Sequence, residues 1–159
     1  MTCRLTSLFA ALAVTLAAGH AFAQSAFVSV TASKGIDASS YNPDSFVVAN
    51  TSTNGVHIES FRLNLSTAIF PDMVYDPDGT AGDRAAKCFE ADTGAAAVGL
   101  VAPADPCTSP FSGPHDDGYY VLELSFTDFD PGETFQFSID ADPTSIRGTS
   151  GNGGGSSGS

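Results

Sequence analysis

The chain has 159 residues and carries 18 acidic side chains against 6 Lys and Arg, a formal net charge of −12. A surface of this sign repels phosphate and holds no basic stripe, which argues against nucleic acid and against anionic lipid as partners. Fourteen of the acids are Asp and four are Glu; Asp favours turns and gives oxygen ligands to hard cations, so the bias fits a loop-rich β-domain open to divalent metal, or a salty habitat.

Residues 1–23 place Arg4 before an apolar run and end on Ala21-Phe22-Ala23. A charged start, a short apolar core and an A-x-A site predict a secretory signal peptide, the alternative being an anchor that stays attached. Cleavage leaves a domain over residues 24–147 with no membrane insertion, at the cell surface or outside the cell. It also removes Cys3, so that Cys88 and Cys107 remain. Two cysteines in an exported chain predict a disulfide rather than two free thiols. The bridge would close a loop of about 20 residues and contribute about 3 kcal/mol in the chain-entropy model.

Residues 26–32 form a short candidate strand, and Ser45-Phe46-Val47-Val48-Ala49-Asn50 reads as a buried one. Asn54-Gly55, between two apolar runs, predicts a hairpin turn. In the next run Val56 and Ile58 share one parity and Phe61, Leu63 and Leu65 the other, so a bulge or bend is expected near Glu59 and Ser60. Residues 67–83 mix Ile69, Phe70, Met73, Val74 and Tyr75 with Pro71 and Pro77, which predicts a short strand between ordered loops. Residues 84–113 are rich in Ala, Gly and Pro, with a possible short strand near 97–101, and the expected disulfide brackets this weakly patterned segment.

The most strongly patterned stretch is 119–146. Tyr120, Leu122, Leu124 and Phe126 alternate with Tyr119, Val121, Glu123 and Ser125, and Phe135, Phe137 and Ile139 alternate with Thr134, Gln136 and Ser138. This is the two-residue period of strands, and Asp128, Asp130, Pro131 and Gly132 between the runs carry turn chemistry, so the stretch reads as a hairpin with an acidic tip. Residues 148–159 are Gly, Ser, Thr and Asn, a flexible linker or tail. With no 3.6-residue period anywhere, the class is all-β: an antiparallel β-sandwich, immunoglobulin-like or jelly-roll-like, with one disulfide.

The candidate metal ligands are Asp76, Asp78 and Asp83, Asp128 and Asp130, and Asp140 and Asp142. Calcium takes six to eight oxygens, and loops at one end of a sandwich could assemble several of these clusters; solvated turn aspartates are the alternative. Asp76 does not open an EF-hand, because Ala81 stands at the sixth position, where Gly is needed, and Lys87 at the twelfth, where Glu is needed. Tyr75, His115, Asp116, Asp117 and Tyr119 form a candidate ligand site, since sugars are held by aromatic faces with carboxylates at the rim. Tyr41 and Tyr120 also lie near turns, although aromatics alternating on strands are more simply core and the chain has no Trp. Asn50 and Asn64 open glycosylation sequons, a pattern frequent by chance. No Ser of the domain over residues 24–147 sits in a G-x-S-x-G elbow and neither remaining His has zinc-ligand spacing, so a catalytic residue is not expected; paired carboxylates leave a hydrolase as a third reading.

The stretches F-P-D-M-V-Y-D-P-D-G-T-A-G-D at 70–83 and D-F-D-P-G-E-T-F-Q-F-S-I-D-A-D-P-T-S-I at 128–146 resemble exported bacterial β-sandwich modules found beside carbohydrate-binding or malectin-like domains. The resemblance spans residues 46–147. It implies a non-catalytic surface or matrix component, with no catalytic residues to carry over and a further module after Ser159. The expectation is a secreted module that binds a glycan or an extracellular protein, with calcium as the candidate cofactor; a structural or adhesive spacer is the competing class.

Overall fold

The computed structural model describes residues 26–30, by their backbone, and 40–53, 55–68 and 72–150. The expected signal peptide at 1–23, Asn54, Ile69, Phe70, Pro71 and most of the expected tail lie outside the described residues.

Two antiparallel sheets face one another. Strands β1 (Ala26–Val30), β2 (Phe46–Asn50), β8 (Thr134–Ser138) and β5 (Glu90–Thr93) form one, in the order β1-β2-β8-β5. The other has the order β3-β7-β4-β9, from β3 (Ile58–Asn64), β7 (Gly118–Phe129), β4 (Met73–Tyr75) and β9 (Ala141–Pro143), with β6 (Phe111–His115) also paired to β7. The all-β sandwich and its Cys88–Cys107 disulfide, with Cα atoms 4.5 Å apart, agree with the sequence reading.

The alternation in β7 specifies which side chains are core. Leu122, Leu124 and Phe126 are buried while Glu123 and Ser125 between them, and Thr127 after them, are exposed. From the opposite sheet Phe46, Val48, Phe135 and Phe137 point at them. Phe137 stacks on Phe46 at 4.7 Å between ring centroids and meets Phe61 edge-on across the sandwich at 6.3 Å. Such pairs add to the burial of their large apolar surfaces.

The phase slip expected near Glu59 and Ser60 is present, and it occurs in two strands at once. Ile58 pairs with Phe129 and Ser60 with Ser125, so two steps along β3 face four along β7. Phe129 therefore turns inward three residues after Phe126, out of phase with the rest of β7, and both rings are buried.

Two expected hairpins are not formed. β7 and β8 are joined by residues 130–133 but lie in different sheets, and so do β2 and β3. In both places the chain turns a corner of the sandwich, with Gly55 and Gly132 in the left-handed region at φ 72° and 91°. Alternation fixes a strand's faces without fixing its neighbour. Among the described residues, the two-residue hairpin is β6–β7, where His115 pairs with Gly118 and both Asp116 and Asp117 have positive φ. That is the backbone of a type I′ turn, which Asp tolerates better than most residues. The region 97–101 contributes one isolated bridge, Leu100 to Phe126, in place of a strand.

Asn50 fastens the corner between β2 and β3. Its side-chain amide donates to the carbonyls of Val56 (2.9 Å) and Phe129 (2.8 Å), and its Oδ1 accepts from Ser52 N–H at 3.0 Å. It is 1 % exposed, which leaves no room for a glycan on this sequon. Replacing it by Ala withdraws three hydrogen bonds from buried backbone groups, and Asn50→Ala should cost about 3 kcal/mol. The expected readout is a lower urea midpoint at unchanged slope; an unchanged midpoint would contradict the role given to Asn50.

Candidate functional site: a buried carboxylate cluster

The segment Asp76-Pro77-Asp78-Gly79-Thr80-Ala81-Gly82-Asp83 leaves the end of β4 and folds back over its first residue. Asp76 Oδ1 accepts from the N–H groups of Thr80 (2.9 Å) and Ala81 (3.1 Å), and Oδ2 accepts from Gly82 N–H at 2.7 Å. Two glycines make this curl possible. Gly79 is left-handed at φ 70°, and a Cβ on Gly82 would fall 2.2 Å from Asp142 Cβ and 2.5 Å from its Oδ2.

Asp140 and Asp142 arrive from the neighbouring strand. Tyr75 pairs with Ala141 and Val74 with Asp142, and residues two apart on a strand share a face, so the two carboxylates project together beside Asp76. The Asp76 N–H donates to the Asp140 carbonyl at 3.0 Å, and the Asp83 N–H donates to Asp142 Oδ2 at 2.9 Å. One oxygen from each of Asp76, Asp140 and Asp142 lies within 4.8 Å of the other two.

All three acids are buried, Asp140 at 2 % exposure and Asp142 at 1 %, and Asp83 is buried close by. Asp140 Oδ2 and Asp142 Oδ1 have no hydrogen-bond partner. The ion pairs among the described residues involve none of these three acids. Of the cations nearby in sequence, Arg84 is exposed, Arg147 is held on Asp117 at 3.1 Å, and Lys87 on Glu90 at 2.9 Å and the Tyr41 carbonyl at 2.8 Å.

Burial and mutual repulsion raise the affinity of these groups for protons. Asp140 is pushed up to about 8, by burial first and then by the charges of Asp142, Asp76 and Asp83. Asp142 is pushed up to about 6, chiefly by burial, against the lowering effect of its bond from Asp83 N–H. Asp76 is also raised by burial, in spite of its three backbone donors. At neutral pH such a cluster must take up protons or a cation, because buried like charges without a counter-ion are strongly unfavourable. Oxygens bound to one calcium ion at 2.3–2.6 Å can stand at most about 5 Å apart, and carboxylate oxygen is the donor this hard cation takes. The triad fits calcium on both counts.

The other candidate acids are placed elsewhere. Asp78 is exposed and serves the turn, accepting from the Thr80 hydroxyl at 2.6 Å. Asp128 and Asp130 lie near the far end of β7 with His57, whose Nδ1 contacts Asp130, about 30 Å from the triad by strand rise. The expected gathering of acidic loops at one end is thus corrected. Asp76, Asp83, Asp140 and Asp142 meet at one end, while Asp128 and Asp130 are displaced to the other because they close the β7–β8 corner.

The expected ligand site is divided in the same way. Tyr75 is fully buried, with its ring 5.7 Å from Phe111, and burial pushes its phenol pKa up; it is core and offers no face to a ligand. His115, Asp116, Asp117 and Tyr119 do share an open cleft of about 310 Å³ with Pro114 and Gly118. There His115 stacks on Tyr120 at 4.3 Å and its Nε2 lies 3.1 Å from Asp116 Oδ2. Tyr41 sits under the Lys87 ammonium at 5.2 Å. Two residues that matter here escaped the sequence reading, Gly82 and Arg147. The Gly-Asp pair at 82–83 was the only signal for the first, and nothing local distinguishes the second.

No protein-family model, curated protein or solved structure matches this chain.

Proposed function

We propose that this chain is an exported, non-catalytic binding module whose sandwich is completed by one calcium ion held by Asp76, Asp140 and Asp142. The observation that carries the reading is the pair of buried carboxylate oxygens, on Asp140 and Asp142, that lack any partner and face a third buried acid. A satisfied structural cluster would pair such atoms with Arg, Lys or backbone N–H groups. Enclosure keeps substrates away from the triad, so these acids serve as ligands rather than as an acid pair for hydrolysis.

The cleft at Pro114 to Tyr119 is the place for a partner, a glycan or an extracellular protein, because an aromatic ring, a His and two carboxylates converge there at the surface. A spacer module is the second reading, and one observation favours it: among the described residues Val101 is the one large hydrophobic side chain that is exposed. A glycan array read with and without calcium distinguishes the two. Binding that needs calcium and is lost on Tyr119→Ala supports the module, and silence under both conditions supports the spacer.

A further inference from the structure

The loop that wraps the triad is also bonded to the last described segment of the chain. Gly148 N–H donates to the Gly82 carbonyl at 2.8 Å, and Arg84 N–H donates to the Thr149 carbonyl at 3.1 Å. Arg147 adds a third tie through its side chain. Its Nε donates to the Ala81 carbonyl at 3.2 Å, one terminal nitrogen to the Asp117 carboxylate at 3.1 Å, and the other to the Asp116 carbonyl. Thus residues 81–84, 147–149 and the 115–118 turn form one bonded patch built directly over Asp76 and Asp142.

We infer that the cation in the Asp76–Asp140–Asp142 site acts as a latch, holding residues 147–149 and the 115–118 turn against the body of the domain. This inference rests on the calcium reading above. Its chain of cause runs through the loop. The loop keeps its curl through N–H groups spent on Asp76 and Asp142, and those two carboxylates stay side by side when a cation lies between them and Asp140. The unpartnered oxygens of Asp140 and Asp142, each residue at least 98 % buried, show where that cation belongs. Without it the carboxylates separate, the N–H donors of Thr80, Ala81, Gly82 and Asp83 lose their acceptors, and the carbonyls of Ala81 and Gly82 no longer present themselves to Arg147 and Gly148.

Linkage makes the coupling reciprocal: if calcium closes the latch, an intact latch must tighten calcium. Arg147→Ala tests this with opposite signs. Removing a positive charge near a cation site should tighten calcium by simple electrostatics, whereas breaking the latch should weaken it, by about 5-fold if the coupling is of ordinary size.

The experiment is hydrogen–deuterium exchange on the full chain with calcium or with EDTA, alongside calorimetric titration of calcium into wild-type protein and Arg147→Ala. The latch predicts that calcium protects peptides covering 77–86 and 144–150, leaves 120–126 in β7 unchanged, and binds more weakly to Arg147→Ala. Calcium that binds without protecting 144–150, or that binds Arg147→Ala as tightly or more tightly, overturns the latch while leaving the site intact. Exchange that rises equally in 120–126 on adding EDTA makes the ion a requirement of the whole fold and also overturns the latch. No heat on titration removes the site and the latch together.

Discussion

Stripping the protein with EDTA at about pH 8 should lower its melting temperature by about 10 °C relative to about 1 mM calcium. For a site of roughly 10 μM affinity, ligand linkage gives about 2.7 kcal/mol at that concentration, and a domain of this size shifts by several degrees per kcal/mol. The pH dependence has a definite sign. Asp140 and Asp142 are raised in the folded state to about 8 and about 6. The metal-free fold therefore keeps the full benefit of the protons they bind below about pH 4, and loses it as pH rises through those two values. The loss amounts to several kcal/mol in total, since each tenfold gain in proton affinity on folding is worth about 1.4 kcal/mol. Melting temperature in EDTA should fall steadily from about pH 4 to about pH 8.5, while the increment from calcium grows, because the ion competes with fewer protons. A melting temperature in EDTA that rises over this range would contradict the burial assigned to the cluster.

Substitution at Gly82 is the second large effect. An added methyl would overlap Asp142 Cβ at 2.2 Å and its carboxylate at 2.5 Å, and neither belongs to a long side chain that can swing aside. Gly82→Ala must open the loop, which costs the hydrogen bond to Asp76 Oδ2 and displaces Asp142. We expect about 3 kcal/mol of destabilisation in the presence of calcium and at least a 100-fold loss of calcium affinity. In EDTA the two proteins should differ much less, since the loop is then already loosened. Asp142→Asn separates charge from shape. The amide preserves volume and removes one of the repelling charges, so in EDTA at about pH 8 it should melt higher than wild type, while in calcium it should melt lower. Crossing melting curves of this kind are not expected from a solvated turn aspartate.

The sequence revealed more about faces than about neighbours. The period-two pattern of residues 120–126 and 134–139 places Leu122, Leu124, Phe126, Phe135, Phe137 and Ile139 in the core, as found, but Tyr120 of the same parity is only half-buried, and Val121 and Ser138 of the opposite parity are buried as well. The same pattern carries no information on whether two successive strands pair or cross to opposite sheets, which is why β7–β8 and β2–β3 read as hairpins and are corners. Strands β5 and β6 gave almost no signal. Glu90–Thr93 has no large apolar residue, and Phe111–His115 contains Gly113 and Pro114, which suit an edge strand. Their pairing is imposed by the strands they join.

For the site, the residue types were legible and the grouping was only partly so. Asp-x-Asp at 140–142 on a strand places two carboxylates on one face, and Asp-Pro-Asp-Gly at 76–79 announces a tight turn; both follow from local chemistry. That these two segments meet depends on β4 pairing with β9, a contact between residues more than sixty apart in the chain. The acids at Asp128 and Asp130 looked equivalent in sequence, but they lie at the other end of β7, more exposed and grouped with His57. The disulfide, by contrast, needed no geometry, since only two cysteines remain once Cys3 is set aside with the expected signal peptide.

Asp76, Asp140 and Asp142 are proposed to hold one calcium ion. Calorimetric titration of calcium into chelator-stripped protein, repeated on Asp140→Asn and Asp142→Asn, tests it most directly. One ion per chain bound by wild-type protein, with binding weakened at least 100-fold in both variants, is the predicted result. Absence of binding to wild type, or affinity unchanged in both variants, would contradict it.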